Sequence, residues 1–333
     1  MSKTRTSILL KITSGKIHPI LISLLVLIGL AAILILIFKL EGIAFVKSNY
    51  EFYALFGVVF IYIILITRLI HNVHERDFQK LLTHANFEPD VRKEWANKMA
   101  DHRSQWAEAF VAIAVGLLHS YLQGYSRLLD GTSRFVLYDI WGSLNIITLW
   151  VLITLSTSVF IRNMTLMNEL SQKVAIDLLN MEKFMALTRS GVWSILAFIG
   201  AYSLLFIRGF DNLSSISLAD PAILVLGPSI FWMIRTPLKG FRKRVINEKE
   251  KELAIIDAAI EGDHDAMKAS RIGANLSNIN VIDLISYKRI IQNTLEIPVN
   301  IPTASRFVFY LIIPLLTWIA ASMVDKVIDY LIK

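Results

Sequence analysis

The sequence predicts an all-α, polytopic transmembrane helix bundle of about seven spans, N-terminus inside, with a cytoplasmic helical region. Three observations carry this expectation. The 333 residues are 55% hydrophobic and only 18% charged, with a mean hydropathy of +0.55, a balance foreign to a soluble two-domain chain. Pro19 to Phe38 is an unbroken apolar run without a charge, and roughly 20 such residues let a helix cross a ~30 Å hydrocarbon core. The basic residues are also unevenly placed. If seven runs cross and the chain starts inside, the inner segments carry 4, 7, 4 and 12 Lys and Arg, which is 27 of the 34. Excess positive charge marks the cytoplasmic side.

Each element follows from its own pattern. Residues 1–18 form a basic amphipathic leader (Lys3, Arg5, Lys11, Lys16 with Ile8, Leu9, Leu10) suited to the membrane interface. The span at 19–38 is too long for a cleaved signal peptide and reads as a permanent anchor. A second span, near 52–70, opens on Tyr50, Phe52 and Tyr53 as an aromatic belt and ends in Arg68, His71, His74, Glu75 and Arg76. Residues 106–125 are apolar around most of the helix but carry Glu108, His119 and Gln123, so this segment either crosses within a bundle or lies along it. A crossing is expected, because without it the two largest basic segments fall on opposite sides.

The run 138–161 is the next span. Leu166, Leu170, Val174, Leu178, Met181 and Met185 then continue the helical period, which predicts a cytosolic extension over 165–190. Further spans are expected near 191–207 and 218–234, the latter kinked at Gly227-Pro228. The bundle so defined covers 19–237. A cytoplasmic helical insert follows at 238–305, with helices over 241–261 and 281–295 around a Gly/Asn/Asp-rich break. The last span is 306–324.

Several chemistries lack their motifs. Cys is absent, which excludes disulfides and thiolate metal sites. His71-Asn72-Val73-His74-Glu75 puts two His on one helical face. It is not the His-Glu-x-x-His pattern of zinc hydrolases, so it reads as a polar cap where a span ends. Gly262-Asp263-His264-Asp265 has too few carboxylates for a calcium loop, and no phosphate loop or hydrolase triad is present. No enzyme activity, cofactor or metal is expected. Arg242-Lys243-Arg244 lies just beyond a span, where it fits anionic lipid better than nucleic acid.

Two stripes are candidates for a pore or lumen. Glu108, His119 and Gln123 lie on one face of the third run; ionisable groups inside a span usually face a bundle interior or a water path. Tyr310, Thr317 and Asp325 lie on one face of the last run, with Pro314 and Ala321 between them. Both stripes also suit close helix packing.

Glu248-Lys249-Glu250-Lys251-Glu252-Leu253, the approach from Pro302 to Arg306, and Tyr310, Pro314 and Trp318 resemble the C-terminal third of a group of uncharacterised bacterial multi-pass inner-membrane proteins. That resemblance implies location alone. The order of elements is similar to that of the insect odorant and gustatory receptor channels, which have seven spans, cytosolic helix extensions and a last span lining a tetrameric cation pore. These resemblances and stripes give the expected function: an oligomeric ion channel or pore in the inner membrane. The alternatives are a non-transporting scaffold or sensor acting through its cytoplasmic helices, and a secondary transporter, for which paired broken spans are expected.

Overall fold

The computed structural model describes residues 7, 9–10, 19–45, 47–84, 87–101, 105–206, 221–272 and 280–296, with the side chains of 221–239 not included. Among those residues the α-helices follow in the order α1 (Pro19–Glu41), α2 (Lys47–His84), α3 (Pro89–Ala100), α4 (Trp106–Leu122), α5 (Val136–Lys173), α6 (Met185–Phe206), α7 (Pro221–Ile260), α8 (His264–Ala269) and α9 (Val281–Asn293). Among the described residues, four segments are long and apolar enough to cross a membrane: Ile20–Glu41, Tyr53–His84, Val136–Lys173 and Met181–Ala201. The expected seventh span, with Tyr310, Thr317 and Asp325, lies outside the described residues. The expected sixth falls on the first half of α7.

Cross-helix contacts give each helix a direction. The end of α1 touches the starts of α2 and α5. There Tyr53 packs edge-on against Tyr138, and the Glu41 carboxylate accepts from the backbone N–H groups of Leu137 (2.6 Å) and Tyr138 (3.0 Å). Those N–H groups have no partner within their own helix, so α1 caps α5. Gly42 makes this turn possible: its φ of +65° is costly for other residues, and it lets Ile43 N–H bond back to Phe38 O at 2.9 Å, the helix-ending bond of a Schellman turn.

At the opposite end, Phe78 of α2, Met164, Met167 and Leu170 of α5, Phe184, Phe241 of α7, and Leu284 and Ile291 of α9 share one core. We call this the module end. Because the C-terminal halves of α2 and α5 both enter that core, the chain between them must leave it and return. The leaving segment is α4, which runs antiparallel to α5. Ala109 clusters with Leu155, Gly116 lies against Ile147, and the Ser120 hydroxyl donates to that of Ser143 at 2.7 Å.

Ala109, Ala112, Gly116 and Ser120 are buried, a small-residue seam that lets two backbones approach. Phe110, Val111, Leu117, Leu118 and Leu122 stay exposed. The segment expected at 106–125 therefore runs along the bundle from one end to the other.

Three boundaries differ from the expected ones. The extension over 165–190 is not one rod. α5 stops at Lys173, Val174 is extended, and a 3₁₀ turn at Met181–Phe184 leads into α6. The turn is held locally: Asp177 accepts from Leu179 N–H (3.3 Å) and from Lys183 Nζ (2.9 Å). α7 is helical from Pro221 to Ile260, across Gly227-Pro228 and Pro237, so the bundle and the insert share one helix instead of meeting at 237/238. The leader, expected at the interface, has Leu9 and Leu10 inside the bundle. Leu10 clusters with Ile70, Val159, Phe160 and Phe198.

The module has its own polar fastenings. Asp263 caps α8, accepting from the N–H groups of Asp265 and Ala266, which gives the Asp263 carboxylate of the Gly262–Asp265 stretch a structural role. Asn280 and Asp283 form a capping box on α9. Buried Glu252 accepts from Arg271 N–H (2.9 Å) and from the Tyr287 hydroxyl (3.0 Å). Burial, and then the neighbouring Glu252 charge, raise the Tyr287 hydroxyl well above its ordinary value, so it stays protonated and donates. Limited proteolysis is expected to cut between Gly262 and Asn280 before either flanking helix. Early cleavage spread evenly over 241–296 would contradict a packed module.

Candidate functional site

The most concentrated polar chemistry in the described bundle lies between its apolar part and the module. Thr67, His71 and His74 recur at four and three residues along one face of α2, with Asp77 beside them. Below them that face is apolar (Phe56, Val59, Phe60, Ile63); above them it is apolar again (Phe78, Leu81, Leu82). The parallel α5 supplies Ser156 and Asn163, and the antiparallel α6 supplies Ser190 and Ser194. His74, Asp77, Asn163, Ser190 and Ser194 are completely buried, and Thr67 and His71 nearly so. Groups withheld from water need partners.

Here most of them find one another; the Asn163 Oδ1 is buried without a partner. The Asn163 amide nitrogen lies 3.3 Å from Nδ1 of His71 and 3.3 Å from Nδ1 of His74. With the amide assigned in this orientation, both Nδ1 atoms accept and the protons of neutral imidazoles sit on Nε2. Nε2 of His74 then donates to the Ser190 carbonyl (3.2 Å) and the Ser194 hydroxyl (3.0 Å). The Thr67 and Ser156 hydroxyls bond at 2.7 Å. Asp77 is the buried charge of this joint, matched in a two-pronged pair by Nε and Nη2 of Arg189, and it accepts from the Ser190 hydroxyl at 3.2 Å. A planar fork on a carboxylate fixes orientation as well as charge. The arrangement locks the rotation of three helices against each other where they enter the module.

His71 and His74 are thus a helix joint and not a terminal cap. Among the described residues no group of His, Asp and Glu is arranged to hold a metal. Sequence reasoning singled out the two His but missed Asn163, Ser190, Ser194 and Arg189. The available signal was Ser190 and Ser194 four apart in a largely apolar helix, with Arg189 beside them.

Of the candidate lumen residues, His119 and Gln123 lie side by side and Glu108 is set apart from them, while Tyr310, Thr317 and Asp325 lie outside the described residues. Glu108 is half-buried and accepts from the Ser158 hydroxyl at 3.4 Å. His119 lies about 16 Å further along α4, by helix rise. Its Nδ1 accepts from the Trp150 indole at 2.9 Å, and its Nε2 lies 3.1 Å from the exposed Gln123 amide. Both ionisable groups are engaged by α5 along the edge of the small-residue seam.

Of the basic trio, Arg242 pairs with Glu296 (2.6 Å). Arg244 donates to the carbonyls of Ser171 (2.5 Å) and Val174 (3.0 Å), while Lys243 is exposed. Comparison with protein-family models, with curated proteins and with solved structures gives no match.

Proposed function

We propose that the chain is a multi-pass inner-membrane protein with seven crossings and a cytoplasmic helical module, working as a membrane-anchored scaffold or sensor. The observation that supports this reading is the continuity between bundle and module. α2 and α5 are each 38 residues long, about 57 Å at 1.5 Å per residue, so each exceeds the hydrocarbon thickness by about 27 Å. The excess is the module's core, and the buried polar joint fixes the rotation of each helix at the crossing point. Rigid coupling of this kind carries a displacement from one end to the other.

α9 supplies the contact surface. It turns Leu284, Tyr287 and Ile291 inward and leaves Val281 (53%), Ile282 (73%) and Ile285 (54%) exposed. Exposed aliphatic side chains grouped on a charged module fit a protein partner. The channel reading now rests on Tyr310, Thr317 and Asp325 and needs a subunit assembly around them.

Two measurements separate these readings. Purified protein in liposomes is expected to pass no ions, and Ile282→Glu with Ile285→Glu is expected to abolish co-purification of a cross-linked partner without lowering thermal stability. Ion flux reduced by Asp325→Asn would favour the channel instead.

A further inference from the structure

Where the apolar part of the bundle meets the module, two arginines stand on neighbouring helices. On one side of α2, Ile61 and Leu65 come before Arg68, and Asn72, Glu75 and Gln79, all exposed, come after it. These positions recur at three and four residues, so they share a face, and that face turns from apolar to polar at Arg68. On α5, Val151 and Leu155 come before Arg162, and the exposed Glu169 and Lys173 come after it. The two helices run parallel, and the Thr67–Ser156 and His71–Asn163 bonds fix their register. Arg68 follows Thr67 and Arg162 precedes Asn163, so the two lie within about one 5.4 Å turn of each other along the axis. Both guanidinium charges reach the buried His71 imidazole, which places them at one corner of the joint.

That corner is positive. Arg68 is half-buried, yet it makes no hydrogen bond and no ion pair among the described residues. Arg162 Nη2 donates to the Lys98 carbonyl, a neutral acceptor, at 2.9 Å and so meets the end of α3. Glu108 of α4 accepts from Ser158, one turn before Arg162, and forms no ion pair with either arginine among the described residues. A guanidinium drawn out of water calls for an acceptor, and its planar fork suits an oxyanion. Where a helix passes from hydrocarbon to water on the cytoplasmic side, the abundant oxyanion is the lipid phosphate. The basic trio expected to meet lipid is largely engaged elsewhere: Arg242 holds Glu296, and Arg244 holds the end of α5.

We propose that Arg68 and Arg162 bind the phosphate of an anionic glycerolipid in the cytoplasmic leaflet. The site rests on the reading that places the module in the cytoplasm and is independent of the scaffold role. To test it, the full-length protein in detergent is titrated with dioleoylphosphatidylglycerol, with the matched diacylglycerol and with inorganic phosphate. Bound molecules are counted by native mass spectrometry. This readout does not depend on which way the protein faces, so it can fail while side-specific labelling upholds the topology, and the reverse.

The phospholipid is expected to bind saturably and roughly tenfold more tightly than the diacylglycerol, the size of one charge-assisted hydrogen bond. Arg68→Gln should weaken it by a similar factor and leave the melting midpoint of the lipid-free protein unchanged, because Arg68 holds nothing within the described protein. Arg162 also meets α3, so Arg68 carries the test. Arg68→Lys should retain more binding than Arg68→Gln, and Lys243→Gln, at the exposed member of the trio, should change nothing. Equal binding of phospholipid and diacylglycerol, or phospholipid binding untouched by Arg68→Gln, would overturn the proposal. Displacement of the phospholipid by inorganic phosphate at equal concentration would assign the corner to a soluble anion and overturn it as well.

Discussion

Replacing Arg189 with Met is expected to destabilise the protein by about 3–5 kcal/mol, the usual cost of stranding one member of a buried ion pair. Asp77 has no exposed side-chain surface, while Arg189 is about one-third exposed (37%), so the penalty falls on the carboxylate left behind. The Ser190 hydroxyl remains but cannot neutralise it, and the Arg76 guanidinium, 3.9 Å away and largely exposed, is screened by solvent and replaces the lost pair only in part. By the usual relation between stability and melting temperature, the midpoint should drop by roughly 10 °C. Asp77→Asn combined with Arg189→Met should recover much of the loss, because the stranded charge is then gone. A double mutant as unstable as Arg189→Met alone would mean that the pair acts through something other than its charge balance.

The second large effect is expected at Gly116. A Cβ placed there would lie 2.8 Å from the Ile147 Cα and 3.2 Å from its Cγ1. Backbone cannot yield as a flexible side chain can, so Gly116→Leu must push α4 away from α5. Overpacking of this kind costs about 1–3 kcal/mol, and here it opens the whole seam. The absence of native Cys gives a clean readout. Cys residues at Ser120 and Ser143, whose hydroxyls are 2.7 Å apart, should form a disulfide on mild oxidation. Adding Gly116→Leu should largely abolish it. Undiminished cross-linking would show that the seam tolerates a side chain and is not what holds α4.

The sequence showed where helices are apolar more clearly than where they end. The span at 19–38 corresponds to Pro19–Glu41, but the one at 52–70 is the first part of a helix that runs on to His84. Its apolar run ends near Ile70 because three of the next packed positions are His71, His74 and Asp77. A polar residue in a composition window looks the same whether it faces water or a partner helix.

The 165–190 stretch misleads for the opposite reason. Leu170, Val174 and Leu178 keep a helical period and are all buried in one core. The chain turns between them nonetheless, and periodicity reports burial without reporting the path of the backbone. For His119, the preference for helix contact over lumen was legible as an alternative. Its partner, Trp150, was not, since only the antiparallel register of α4 and α5 brings residues 31 apart in sequence together.

The central claim is that α4 connects the two ends of the bundle, so that the charged ends of α2, α5 and α7 share one side of a membrane. Single Cys residues at Asp90, Asp130 and Asp265, all exposed positions in a Cys-free chain, can be labelled with an impermeant thiol reagent on intact cells and again after permeabilisation. The account predicts that Asp130→Cys labels in intact cells, and that Asp90→Cys and Asp265→Cys label only after permeabilisation. Labelling of Asp90→Cys and Asp130→Cys from the same side would mean that α4 does not cross, and would contradict it.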